Sequence, residues 1–147
     1  MIRLRLIVDT NIIMAAMLKD SSARKILLST PIDFYVPEFV FEEIEEHIAE
    51  LSKKNRLSVE TNREVLAIIR RYVHVIGKKD LEKVYPEAEA IMKGIDIDDS
   101  ACLAAALSIE CDGIWSHDRH LTKQDRVRIW LLKDLVHFIE NGTGRRG

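Results

Sequence analysis

Between residues 3 and 8 the chain reads RLRLIV. Basic and apolar residues alternate, then give way to an unbroken apolar run, as in a strand entering a sheet that is covered on both faces. Short apolar segments of the same kind return at 34–36, 73–76, 113–116 and 127–130, each separated from the next by a stretch of mostly helical character. Parallel neighbours need crossover connections, so this alternation predicts an α/β fold with a central, mostly parallel sheet between helices.

The helical segments carry their own punctuation. TNIIMAAMLK follows Asp9, and Ser21 or Ser22 caps a further helix to about Leu28. Pro37 opens a long helix to about Leu51, since proline in a first turn lacks an N–H that had no partner there. Thr61 and Glu64 fit a capping box for a helix ending near Tyr72. Residues 80–93 read as helix, interrupted at Pro86 and closed by Gly94. Asp98 or Asp99 caps SACLAAALSIE, and a last helix covers 132–140. The tail GTGRRG, residues 142–147, reads as disordered beyond one domain spanning 1–141.

A chain of 147 residues fits one compact domain, and 47% apolar with 31% charged residues is enough to build a core, which excludes a wholly disordered chain. No apolar run approaches the roughly 20 residues of a membrane span, and the N-terminus lacks the pattern of a signal peptide, so the expectation is a soluble cytoplasmic protein. Cys102 and Cys111 match neither a CxxC pair nor a zinc-ligand pair and read as buried free thiols. A formal net charge of −2 does not advertise a polyanion binder, so any nucleic-acid role must rest on local features. Lys53 to Arg56 read as a solvated turn.

In an open α/β sheet, ligands bind beyond the carboxyl ends of the strands. Asp9 stands at such an end, where a carboxylate next to a buried strand costs desolvation energy unless something pairs with it. Asp118, in SHDRHL, follows the apolar strand GIWS, and equally suits a turn. Asp99 opens a helix whose i+3, i+4 and i+7 positions are Cys102, Leu103 and Ala106, so it borders the core, although it also suits a plain cap. The helix after Pro37 carries Glu38, Glu42, Glu43, Glu45, Glu46 and Glu50. Val40, Ile44, Ile48 and Leu51 form its buried stripe, and only Glu43 and Glu45 flank it, on opposite sides.

Together these segments resemble the PIN-domain family, in order and over nearly the whole chain. IVDTNI, with Asp9, Thr10 and Asn11, resembles its first strand and acidic signature. PEFVFEEI resembles its second segment, which selects Glu43 over Glu45. DSACLAAAL resembles the third, an aspartate opening an alanine-rich helix. IWSHDRHL resembles the fourth, with Ser116 in the Thr/Ser place and Asp118 as the last acid. Asp96, Asp98 and Asp99 crowd the third segment, and the leucine and alanine positions favour Asp99.

The resemblance implies a three-layer α/β/α sandwich and a nuclease that depends on Mg2+ or Mn2+. Asp9, Glu43, Asp99 and Asp118 are then the catalytic acids and the metal ligands, with Asn11 and Ser116 bracing them. Arg119, Lys123 and Arg126 are candidates to hold substrate phosphates. Oxygen ligands converging on one crevice suit such ions. His117 and His120, three apart and without further Cys or His nearby, make too thin a set for zinc. A serine hydrolase lacks its G-x-S-x-G, glycine-rich nucleotide motifs are absent, and a receiver domain lacks its aspartate and lysine pair. The resemblance further implies single-stranded RNA as substrate, self-association as a dimer or higher assembly, no membrane, and the toxin role of single-domain VapC-like members, with an antitoxin as partner. A ribonuclease maturing ribosomal RNA and a non-catalytic RNA-binding scaffold are the alternatives.

Overall fold

The computed structural model describes residues 3–18, 21–96 and 99–144. Along the chain run β1 (Arg5–Val8), α1 (Thr10–Ala16), α2 (Ser22–Ser29), β2 (Asp33–Pro37), α3 (Glu38–Glu46), α4 (Ile48–Asn55), α5 (Val59–Tyr72) and β3 (His74–Ile76). There follow α6 (Lys78–Glu82), α7 (Tyr85–Met92), α8 (Ser100–Ser108), β4 (Gly113–Trp115), a single turn of 3-10 helix, β5 (Ile129–Trp130) and α9 (Leu132–Gly144).

The five strands form one sheet in the order β3-β2-β1-β4-β5, and every pairing is parallel. β1 lies at the centre of the sheet, and its Leu6, Ile7 and Val8 are completely buried. Burying each of these side chains contributes about 1.5–3 kcal/mol. They alternate between two cores. Leu6 and Val8 pack in a cluster with Ile12, Leu27, Ile44 and Ile69, whereas Ile7 packs in a second one with Leu81, Met92, Leu103 and Ile114. Helices α1–α5 and α9 supply the first core and α6–α8 the second, so the molecule is the expected α/β/α sandwich.

From β1 the chain builds outward through β2 to β3, then crosses back to lay β4 on the other side of β1. The order therefore reverses between β1 and β4, and the crevice beyond their carboxyl ends is where such sheets take ligands.

Several local expectations are corrected. The long helix after Pro37 is two helices broken at His47 (φ −106°, ψ 14°), with Pro37 ending β2 and standing as the N-cap of α3. Periodicity does not register the break, because Ile48 lies four residues from Ile44 and both are buried as expected. The cap of α5 is Ser58, whose Oγ accepts the Thr61 N–H at 3.0 Å, three residues ahead of the expected Thr61. Starting there buries Asn62, which accepts from Asn55 Nδ2 at 2.7 Å and donates to Ser52 Oγ at 2.9 Å. The last helix continues to Gly144, and the remainder of the tail expected to be disordered, 145–147, lies outside the described residues, as does Asp98.

Gly113 opens β4 at φ +141°, a conformation open to glycine, and a Cβ there would stand 2.3 Å from the Arg128 carbonyl oxygen and 2.8 Å from the Trp130 ring. Gly113→Ala is expected to cost on the order of 2–4 kcal/mol, from backbone strain plus overpacking, read as a lower urea midpoint with an unchanged slope. An unchanged midpoint would mean that β5 shifts aside freely.

Candidate active site

The parallel pairing of β1 with β4 sets Val8 opposite Trp115, so Asp9 and Ser116, the next residues on each strand, emerge side by side. The Ser116 hydroxyl, fully buried, donates to Asp9 Oδ2. The other oxygen, Oδ1, accepts the Asn11 N–H at 2.7 Å and caps α1. Ser116 Oγ in turn accepts the Asp118 N–H at 2.9 Å, so one hydroxyl ties two acids together. Burial pushes the Asp9 carboxyl above its ordinary range, the two hydrogen bonds oppose this, and the Asp118 charge adds to it.

Glu43 reaches the same place from α3. It turns toward α1, where the Thr10 hydroxyl donates to Glu43 Oε1 at 2.8 Å. Glu45, on the other flank of the stripe, points away and pairs with Arg63 at 2.8 Å. Asp99 stands at the N-cap of α8 but makes no side-chain cap bond, so its carboxylate is not spent on its own helix. Its Oδ2 is buried without a hydrogen-bond partner among the described residues. Burial is the largest cause that raises its pKa to about 7, followed by the adjacent Asp118 carboxyl and the charges of Asp96 and Asp9.

Asp9, Glu43, Asp99 and Asp118 thus line one cavity of about 380 Å³, together with Thr10 and Asn11. Met14, Phe39, Ala101 and Cys102 give it an apolar wall, where charges interact more strongly than in open water. Cys102 and Cys111 are free but only half-buried, less than the sequence suggested, and Cys102 lines this cavity. Burial and the neighbouring carboxylates hold the Cys102 thiol well above its ordinary pKa, the opposite of a reactive cysteine.

A family model described as PIN domain matches residues 7–135, a span that holds all four acids. The chain belongs to the PIN-domain family. No curated protein matches it. Its fold is similar to that of a chain in the crystal structure of VapBC2 from Rickettsia felis bound to a DNA fragment from their promoter, at 16% identity and a TM-score of 0.67, covering 87% of this chain and 98% of that one.

The other residues singled out in this PIN domain divide. Ser116 and Asn11 both contact Asp9, but Asn11 does so through its backbone N–H while its side chain lines the cavity. Arg126 is paired with Glu87 at 2.6 Å, and Arg119 and Lys123 lie exposed on the segment after Asp118 without lining the cavity. Thr10 lies inside the DTN signature, yet nothing in the spacing announced that its hydroxyl holds Glu43 across 33 positions. His120, which with His117 makes too thin a set for zinc, holds its ring Nδ1 3.2 Å from Asp118 and 3.4 Å from Asp96.

Carboxylates gathered this closely repel one another, and a partnerless buried oxygen on Asp99 is an expense that a bound cation removes. All four groups are hard oxygen donors of the kind that Mg2+ and Mn2+ prefer, so the residues present fit such an ion.

The raised pKa of Asp99 has a definite sign in stability. A carboxyl that holds its proton more tightly when folded contributes stability fully below the ordinary value of 3.8, and loses it as pH rises through about 7. Asp99→Asn removes the charge and is therefore expected to stabilise the EDTA-treated protein at pH 8, by on the order of 1–2 kcal/mol after solvent screening, and by roughly a third of that at pH 5, part-way between the two pKa values. Thermal melts at the two pH values measure this, and equal shifts at both would refute the charge account.

Proposed function

We propose that this chain is a divalent-metal-dependent endoribonuclease of the cytoplasm that cuts single-stranded RNA as the toxin of a toxin–antitoxin pair. The observation that carries the reading is the convergence of Asp9, Glu43, Asp99 and Asp118, from four separate elements, on one cavity at the point where the sheet order reverses. Asp9, Asp99 and Asp118 would hold the ion, with Glu43 completing the set. When bound, the ion supplies charge neutralisation among the carboxylates and Lewis-acid stabilisation of the scissile phosphate.

The chain's own residues do the rest. Ser116 and the Asn11 N–H fix the Asp9 carboxylate in one orientation, and Thr10 fixes Glu43. The nucleophile is a water, oriented by these acids against the phosphorus. The apolar wall of Met14 and Phe39 limits how much bulk water competes for the site. Arg119 and Lys123, exposed just beyond Asp118, meet phosphates farther along the strand. The toxin role rests on the VapC-like resemblance and on the shared fold with a VapBC2 chain. An antitoxin that covers an acidic cavity would need a basic residue to do so, and the resemblance to VapC-like members implies that the chain self-associates.

A labelled single-stranded RNA incubated with Mg2+ or Mn2+ tests the activity. Wild type is expected to cleave, and EDTA to abolish cleavage. Asp9→Asn, which removes a direct ligand, should lose at least about 100-fold, and Thr10→Val, which removes a brace, about 10- to 100-fold. Wild-type protein that binds several RNAs yet leaves them intact in both metals would favour the scaffold instead.

A further inference from the structure

At Asp99 the four acids meet a second group, to which Asp96 and His120 belong. One ligand atom each from Asp96, Asp99 and His120 all lie within 4.8 Å of one another. In an octahedron with bonds of about 2.1 Å, neighbouring ligand atoms are about 3.0 Å apart and opposite ones about 4.2 Å. The separation of 3.4 Å between Asp96 Oδ2 and His120 Nδ1 therefore suits two adjacent ligands of one ion, after a small adjustment. Asp99 belongs to both groups, and its buried Oδ2 has no hydrogen-bond partner among the described residues. The arrangement arises from chain geometry. Asp118 Oδ1 accepts the His120 N–H at 2.9 Å, which turns the residues after β4 back toward the start of α8 and brings the imidazole over the aspartates.

We infer that Asp96, Asp99 and His120 form a second cation position, sharing Asp99 with the first, and that its imidazole selects a divalent first-row transition ion over Mg2+. Carboxylates alone suit Mg2+ and Mn2+ alike, whereas an imidazole nitrogen favours the transition ions. The position is half open: the side chains of His120 and Asp96 are 50% and 31% exposed, so an ion there keeps waters and exchanges readily. This inference rests on the proposed metal site in sharing Asp99, but it makes a claim about nitrogen that the four-acid reading does not.

Mn2+ serves as the probe, with binding stoichiometry and electron spin echo modulation from 14N as readouts. Wild type is expected to bind two Mn2+ per chain, one of them nitrogen-coupled. His120→Ala should lose the nitrogen modulation and one equivalent, and Asp96→Asn should weaken the same equivalent at least about tenfold. His47→Ala and His117→Ala should keep the modulation, since neither histidine belongs to the cluster of Asp96, Asp99 and His120. Excess Mg2+ should displace the uncoupled ion before the coupled one. Asp9→Asn should retain the nitrogen-coupled ion while losing RNA cleavage, which separates the two positions. An unchanged stoichiometry and modulation in His120→Ala overturns the second position and leaves the four-acid site standing, whereas a wild type that binds no Mn2+ overturns both.

Discussion

The register of β1 against β4 is the constraint on which the rest of the molecule depends. Because Val8 faces Trp115 in the parallel ladder, the chain leaves both strands at the same level, and Asp9 meets the Ser116 hydroxyl there. A shift of one residue would turn every side chain of β1 to the opposite face, exchanging Ile7 between the two cores and moving Asp9 away from its brace. The buried apolar residues that hold this register are therefore the same ones that hold the acidic site.

The site also shows how a fold accommodates like charges. Each acid has a neighbour that restrains it: Ser116 and Asn11 for Asp9, Thr10 for Glu43, and the turn at Ser116 for Asp118. Asp99 is the exception. It opens a helix without a side-chain cap bond, keeps a buried oxygen that has no partner among the described residues, and has its pKa raised by burial and its acidic neighbours to about 7. Local stability is given up at the position where the proposed chemistry needs an available ligand, a pattern expected of functional sites rather than of structural ones.

The break at His47 belongs to the same design. By ending α3 there, the chain keeps Val40, Ile44, Ile48 and Leu51 buried across two helices and places Glu43 on the side that faces α1. His47 itself comes to the cavity edge. Glu45 takes the other side and is consumed by Arg63, which explains in physical terms why only one of two equivalent flanking glutamates reaches the cavity.

The alternation of apolar strands with amphipathic helices, and the placement of Asp9 and Asp118 just past strand ends, were determined by the sequence alone, since period and polarity are local properties that survive without coordinates. The same holds for the buried stripe over α3 and α4, whereas the preference for Asp99 over Asp96 and Asp98 came from the resemblance to the PIN-domain family. Contacts between distant segments were decided only by the tertiary structure. Thr10 reaches Glu43 across 33 positions, Ser116 reaches Asp9 across 107, and His120 lies against Asp96 because a loop folds back. No periodicity encodes such pairs, because they depend on strand order and on the crossing of whole elements. Likewise, the burial that shifts Asp9 and Asp99 away from ordinary carboxyls is a property of the assembled cavity and of no residue by itself.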